Sequence, residues 1–262
     1  MTQRVAVVTG AARGIGAATV RRLAHEGWAV VAVDLGDPGV TDAGMPYEMA
    51  TRDELEALRE AGDVTTLVGD VRNLSDLAKA VEIAETTYGG LDAALGIAGI
   101  IGGGAPQWEL SGDLEQLVLD VDLGGVLKLA RVAVPALLRR PEPRDGRFLA
   151  VASAAATRGL PMLAAYCAAK SGVAGLIRSL AVELRGTGVT ANAVSPGSTQ
   201  TKALEASAKI YGLDDVIAFA DQQPLNRLLQ PEEVANMLVW LAGPEATGLT
   251  GAVVPVDGGL AL

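Results

Sequence analysis

The chain is short of several kinds of side chain that usually carry chemistry. Among its 262 residues there is one cysteine, Cys167, and one histidine, His25. A lone cysteine excludes an internal disulfide. No cluster of His, Cys and carboxylates has the spacing of a zinc site, so no metal is expected. Cys167 adjoins Tyr166 but points to another face of the helical pattern, which assigns it to packing. His25 falls among Arg21, Arg22 and Glu26, opposite an apolar stripe of Gly16, Val20, Leu23, Ala24 and Gly27, and should face solvent. Basic charge is also scarce: 21 Lys and Arg against 31 Asp and Glu leave a net charge of −10. That argues against nucleic acid and against anionic membrane surfaces, both of which require a basic face. Long apolar runs are missing. The uncharged stretch from Ala93 to Trp108 is too short and too rich in glycine to cross a bilayer. No charged-then-apolar leader opens the sequence, so a cytoplasmic location is the expectation. Nor does a linker, repeat or low-complexity stretch interrupt it, which predicts one domain over residues 1–262.

What the chain has in quantity is apolar residues, 50% of the total, and 32 glycines, as a large α/β sheet with many tight turns requires. Apolar runs near 4–9, 29–33, 64–69, 92–97, 147–152, 189–194 and 252–256 read as buried parallel strands. Helical patterns fill the intervals, the longest near 109–139 and 165–185. This alternation predicts an α/β fold, a doubly wound Rossmann domain with helices on both faces of a parallel sheet and a ligand crevice at the carboxyl ends of the strands. The first strand runs into Thr9-Gly10-Ala11-Ala12-Arg13-Gly14-Ile15-Gly16 and then into a helix. Glycines permit the tight turn and close backbone approach, while the helix N-terminus offers free N–H groups to a pyrophosphate. The second strand ends at Asp34, an acid that can accept both ribose hydroxyls of an adenosine and that repels a 2′-phosphate.

Further along, Ser153 precedes Tyr166 by thirteen residues, and Lys170 follows Tyr166 by four. On a helix, residues i and i+4 share a face, so the ammonium can lie beside the phenol and favour its ionised form. A free phenol titrates near 10. Acting as a base close to neutrality therefore takes about 4 kcal/mol of differential stabilisation, which Lys170 and a positively charged oxidised nicotinamide could supply. The three side chains imply redox chemistry on an alcohol or ketone.

Jointly, T-G-x-x-x-G-I-G, the acidic end of the second strand and S…Y-x-x-x-K resemble the pattern of the short-chain dehydrogenase/reductase family, over nearly the whole chain. The resemblance implies a seven-stranded parallel sheet in the order 3-2-1-4-5-6-7 and a homotetramer. It assigns Ser153, Tyr166 and Lys170 to catalysis. Cofactor contacts are implied for Gly10, Arg13, Gly14, Ile15 and Gly16 in the turn, for Asp34 and Leu35, for Asp70 and Val71 beside the adenine, and for Ala98 and Gly99. The set is completed by Tyr166 and Lys170, by Pro196 and Gly197 at the end of the run from Asn192, by the Thr199 backbone at the carboxamide, and by Thr201 near the pyrophosphate. The family usually has asparagine where this chain has Asp122, at a position that links the catalytic lysine to solvent. Asp122 is accordingly a candidate participant in proton transfer, with a local structural role as the alternative.

The segment from Asp34 to Asp70 is longer than the usual family connection. Gly36–Pro46 should be a loop, Thr51-Arg52-Asp53-Glu54 is a capping box opening a helix, and residues 36–62 form an insertion. The run Pro46-Tyr47-Glu48-Met49-Ala50-Thr51-Arg52-Asp53-Glu54-Leu55 resembles the insertion of mycofactocin-coupled members, which retain NAD and reoxidise it through that peptide-derived carrier. For cofactor choice, Arg13 could contact a 2′-phosphate and Asp34 opposes one; the direct like-charge penalty favours NAD. Residues 200–225, with Leu204, Ile210, Tyr211, Ile217 and Phe219, resemble the family's substrate lid. Ile101, Ala154, Leu160 and Met162 are candidate walls for an apolar secondary alcohol. An NADP-dependent ketoreductase of the 3-oxoacyl type and a non-catalytic NAD-sensing protein remain alternatives.

Overall fold

The structure, a computed structural model, describes residues 3–36 and 47–262. Nearly all of the expected Gly36–Pro46 loop lies outside the described residues. In chain order the elements are β1 (Val5–Thr9), α1 (Gly14–His25), β2 (Ala29–Asp34), α2 (Arg52–Glu56), β3 (Val64–Val68), α3 (Leu74–Tyr88), β4 (Ala93–Gly96), α4 (Gly112–Leu119), α5 (Gly125–Arg139), β5 (Gly146–Val151), α6 (Ala164–Glu183), β6 (Val189–Pro196), α7 (Lys202–Ile210), α8 (Pro231–Ala242) and β7 (Val253–Val256).

The seven strands form one sheet in the order β3-β2-β1-β4-β5-β6-β7, and every neighbouring pair is parallel. Strand side chains alternate between faces, and here both faces are apolar. Val5 and Val7 of β1 join Val31, Phe148, Ala150 and Ala191 in a core closed by α3, α5 and α6. Ala6 and Val8 join Val30, Ala32, Leu95 and Leu149 in a second core closed by α1, α2 and α8. That is why the strands read as continuous apolar runs instead of alternating ones. Among the described residues, no helix is long and apolar enough to cross a membrane.

Two local features differ from the sequence expectation. Gly27 is exposed instead of closing the apolar stripe of α1; with φ +82° it reverses the chain after the helix. The helix expected over 109–139 is broken into α4 and α5 by a π-helical turn at Asp120–Gly124, which rotates the faces on either side and buries Asp122 completely. Thr51 does cap α2: its hydroxyl accepts from the Glu54 N–H, and the Glu54 carboxylate accepts from the Thr51 N–H.

The turn from β1 into α1 depends on close packing at two glycines. Gly10 has φ +67°, and a Cβ there would lie 2.5 Å from the Ala98 Cα. A Cβ on Gly16 would overlap the Gly10 carbonyl oxygen. Gly16→Ala should therefore force the turn open and lower the free energy of unfolding by roughly 1–3 kcal/mol, the usual cost of an overpacked site, measured by urea denaturation. An unchanged midpoint would mean that the turn is not tightly packed.

Candidate active site

A cavity of about 1000 Å³ opens along the carboxyl ends of the strands, where every strand-to-helix connection offers a loop. The glycine turn forms one end. Gly10, Arg13, Gly14, Ile15 and Gly16 all line it, and Arg13 stands at the start of α1 in an extended conformation with no side chain capping the helix. The first N–H groups of α1 are thus presented without a side-chain cap, as pyrophosphate binding requires. Asp34 and Leu35 line the cavity beside this turn. The Asp34 carboxylate accepts from the Ala12 N–H and the Leu35 N–H, both at 2.8 Å. Burial pushes its carboxyl above the usual carboxylate range, and these hydrogen bonds and Arg13 oppose it.

Arg13 is not free. Its guanidinium donates to the Glu48 carbonyl at 2.5 Å and sits 5.8 Å from the centroid of the Tyr47 ring. Asp70 and Val71 line the same cavity, with the Asp70 carboxylate paired to the Arg72 guanidinium at 2.8 Å and 2.6 Å. Ala98, Gly99, Pro196, Gly197, Thr199 and Thr201 complete the lining. Thr201 caps α7 through the Leu204 N–H, and its methyl group would lie 3.3 Å from a Cβ on Gly14, so the segment expected to form a lid starts against the glycine turn. Asn192, at the other end of the run leading to Pro196, is fully buried and ties β6 to β7 through Leu249 and Ala252. It does not line the cavity.

Ser153, Tyr166 and Lys170 all line this cavity. Ser153 follows β5, and its hydroxyl accepts from the Ala155 N–H at 3.1 Å. One helical turn on α6 separates the phenol from the ammonium, which lies 5.6 Å from the Tyr166 ring centroid. Lys170 is only 3% exposed. It donates to the Val151 carbonyl at 3.2 Å and stands 3.8 Å from Asp122 Oδ2. Asp122 itself does not line the cavity. It lies behind Lys170 with Oδ1 accepting from the Ile100 N–H at 2.7 Å, and Oδ2 makes no hydrogen bond.

The electrostatics differ from the simple picture of an ammonium lowering a phenol. Burial pushes Tyr166 well above the ordinary tyrosine range, the Asp122 carboxylate pushes it further, and only the Ser153 hydroxyl opposes them. Asp122 is pushed up to about 6, chiefly by burial, with Lys170 and the Ile100 N–H holding it down.

On the substrate side, Ile101, Ala154 and Leu160 line the cavity as expected, but Met162 does not; Leu163 takes its place. Met162 has φ +59°, and its backbone crowds Gly103. In the lid, Tyr211 and Phe219 pack edge to face, whereas Ile217 is 58% exposed and anchors nothing. Two residues had no sequence signal. Tyr47 reaches the cavity from the segment before α2. Gln223, 2% exposed, holds the loop after β6 by accepting from the Ser198 N–H and donating to the Arg227 carbonyl. Among the described residues, no group of three or more His, Cys, Asp or Glu could hold a metal.

Residues 10–261 match the family model described as enoyl-(acyl carrier protein) reductase. The chain is 38% identical over 260 residues to the cis-4-hydroxycyclohexanecarboxylate dehydrogenase of Sinomonas cyclohexanicum, covering 98% of this chain and 96% of that protein. It is similar in structure to the carveol dehydrogenase of Mycobacterium avium in complex with NAD, with a TM-score of 0.90 and 27% identity over 99% of this chain and 98% of that one. It is likewise similar to a 3-ketoacyl-(acyl-carrier-protein) reductase from Brucella melitensis complexed with NADH, with a TM-score of 0.86 and 27% identity over 100% and 99% of the two chains.

A carboxyl group held above its ordinary range by folding adds no cost below its unfolded value near 3.8, destabilises increasingly from there to about 6, and destabilises by a constant amount above that. Full ionisation of Asp122 should cost about 3 kcal/mol at 1.36 kcal/mol per pH unit. The stability of Asp122→Asn relative to the native chain should therefore rise by roughly 2–3 kcal/mol between pH ~4 and ~7, measured by urea unfolding at each pH. A difference that does not vary with pH would show that Asp122 carries no such penalty.

Proposed function

Because the chain belongs to the short-chain dehydrogenase/reductase family and is an oxidoreductase acting on alcohols or ketones, we propose that it oxidises an uncharged secondary alcohol to its ketone with NAD. The observation that carries this reading is the meeting of Ser153, Tyr166 and Lys170 in the same cavity as the glycine turn and Asp34. The crevice fits a dinucleotide: it offers uncapped helix N–H groups, a carboxylate beside the turn and glycines where a side chain would collide. Bound NAD would accept the hydride from the carbinol carbon. Ser153 orients the substrate oxygen, and Tyr166 takes the hydroxyl proton at its phenol oxygen. Lys170 would bind the nicotinamide ribose hydroxyls, and its charge, shared with Asp122, would add to that of the oxidised nicotinamide in stabilising the phenolate. Asp122, beneath Lys170, holds or releases a proton as part of the exchange with solvent.

NAD is favoured over NADP by two contacts. Asp34 presents a carboxylate where a 2′-phosphate would bring like charge, and Arg13 is engaged by Glu48 and Tyr47. A 3-oxoacyl ketoreductase using NADP would need Arg13 to leave both. A finer reading rests on the resemblance of the run from Pro46 to Leu55, in which NAD is held as a prosthetic group and reoxidised by mycofactocin. The homotetramer rests on the family resemblance.

Two measurements test this reading. Tyr166→Phe should lower alcohol oxidation by about 10²–10⁴-fold while NAD content stays unchanged; near-native turnover would remove Tyr166 from the mechanism. Mass spectrometry of the nucleotide released from protein purified without added cofactor should find near one NAD(H) per chain. Empty protein that turns over free NAD would contradict the retained-cofactor reading, and co-purified NADP would overturn the assignment from Asp34.

A further inference from the structure

Tyr47 belongs to neither the glycine turn nor the Ser153, Tyr166 and Lys170 group, yet it reaches the same cavity. Its ring is part of an apolar cluster with Ile101, Leu160, Leu163, Tyr166 and Tyr211. The residue is held from two sides. Its hydroxyl accepts from the Ile101 N–H at 3.2 Å, and the Arg13 guanidinium stands 5.8 Å from its ring centroid while bonding the adjacent Glu48 carbonyl. Burial pushes the phenol up to about 12, with Asp122 and Tyr166 also raising it and the Ile101 N–H and Arg13 opposing. It therefore stays neutral near physiological pH and is not a second base. What a fixed, neutral ring can do beside Tyr166 is occupy volume: the space it fills is denied to the carbon skeleton of any alcohol whose hydroxyl reaches the catalytic phenol.

We propose that Tyr47 is a specificity-determining wall of the substrate pocket that favours small alcohol skeletons over bulkier ones. The assignment rests on the alcohol-oxidising function proposed above and deepens it. The wall comes from the long connection between β2 and β3, so the segment that follows Asp34 also shapes the substrate side. The remaining lining near Tyr166, Ile101, Leu160, Leu163 and Ala203, is apolar. A ring removed there exchanges hydrophobic contact for space, and loss of a few buried methylene-sized contacts discriminates substrates by about 10–200-fold.

The test uses NAD-loaded protein with cyclohexanol and the fused-ring alcohol 2-decalol as substrates, and cyclohexanone as a binding probe in calorimetry. Tyr47→Ala should raise KM for cyclohexanol by about 10-fold or more and leave KM for 2-decalol unchanged or lower, with NAD content at the native level. Tyr47→Phe keeps the ring and should stay within about 3-fold of native for both alcohols. Equal changes in KM for the two alcohols, or no change for either, would overturn the proposal. Loss of NAD from Tyr47→Ala with an unaltered KM ratio would also overturn it, making the residue a cofactor support. If native NAD-loaded protein oxidised neither alcohol, the proposed function would fail separately, and the wall would stand or fall on whether Tyr47→Ala weakens cyclohexanone binding.

Discussion

The arrangement of the site turns on how one buried ammonium is held. Lys170 is almost wholly removed from water, which costs several kcal/mol for a cation unless partners replace the lost hydration. The partners come from separate parts of the fold: the Val151 carbonyl at the end of β5 and the Asp122 carboxylate from the π-helical turn between α4 and α5. Ile100, just after β4, fixes the other oxygen of Asp122. The ammonium thus finds its place only when the ends of β4 and β5, the π turn and α6 are assembled together. Parallel pairing of β4 with β5 brings these ends side by side, and so the sheet, not any single loop, sets the catalytic geometry.

The same pairing has a chemical consequence. Asp122 draws on the positive charge of Lys170 and at the same time raises Tyr166. Taken alone, the protein therefore disfavours the phenolate that alcohol oxidation requires. In the proposed reaction, a base that is weak in the empty chain and strengthened by the positive charge of an oxidised nicotinamide would act only when an acceptor for hydride is present. Proton abstraction would then be coupled to cofactor state by electrostatics, without a moving part.

Much of the fold was legible in the sequence because the signals are local. Doubly buried strands read as continuous apolar runs, glycines mark the turn after β1, and the i, i+4 spacing of Tyr166 and Lys170 fixes a shared helical face. The site was less legible wherever position depends on tertiary packing. The π turn adds no residue type that announces it, so the burial of Asp122 could not be read from a helical pattern. Gly27 looked like part of a stripe because periodicity does not show where a helix stops. Met162 was close in sequence to true pocket residues, but its left-handed backbone directs Leu163 inward instead. Tyr47 lies more than a hundred residues from Tyr166, and only the folded connection before α2 brings them together.

The protein holds Tyr166 neutral, and in the proposed reaction the phenol would become a usable base through charge supplied with the oxidised cofactor. The most direct measurement is an ultraviolet difference titration of tyrosinate, native against Tyr166→Phe, in nucleotide-free and NAD⁺-loaded protein. The account predicts no Tyr166 ionisation below the ordinary tyrosine range near 10 in nucleotide-free protein and a clear downward displacement when NAD⁺ is bound. Ionisation near neutrality without nucleotide, or the same titration in both states, would contradict it.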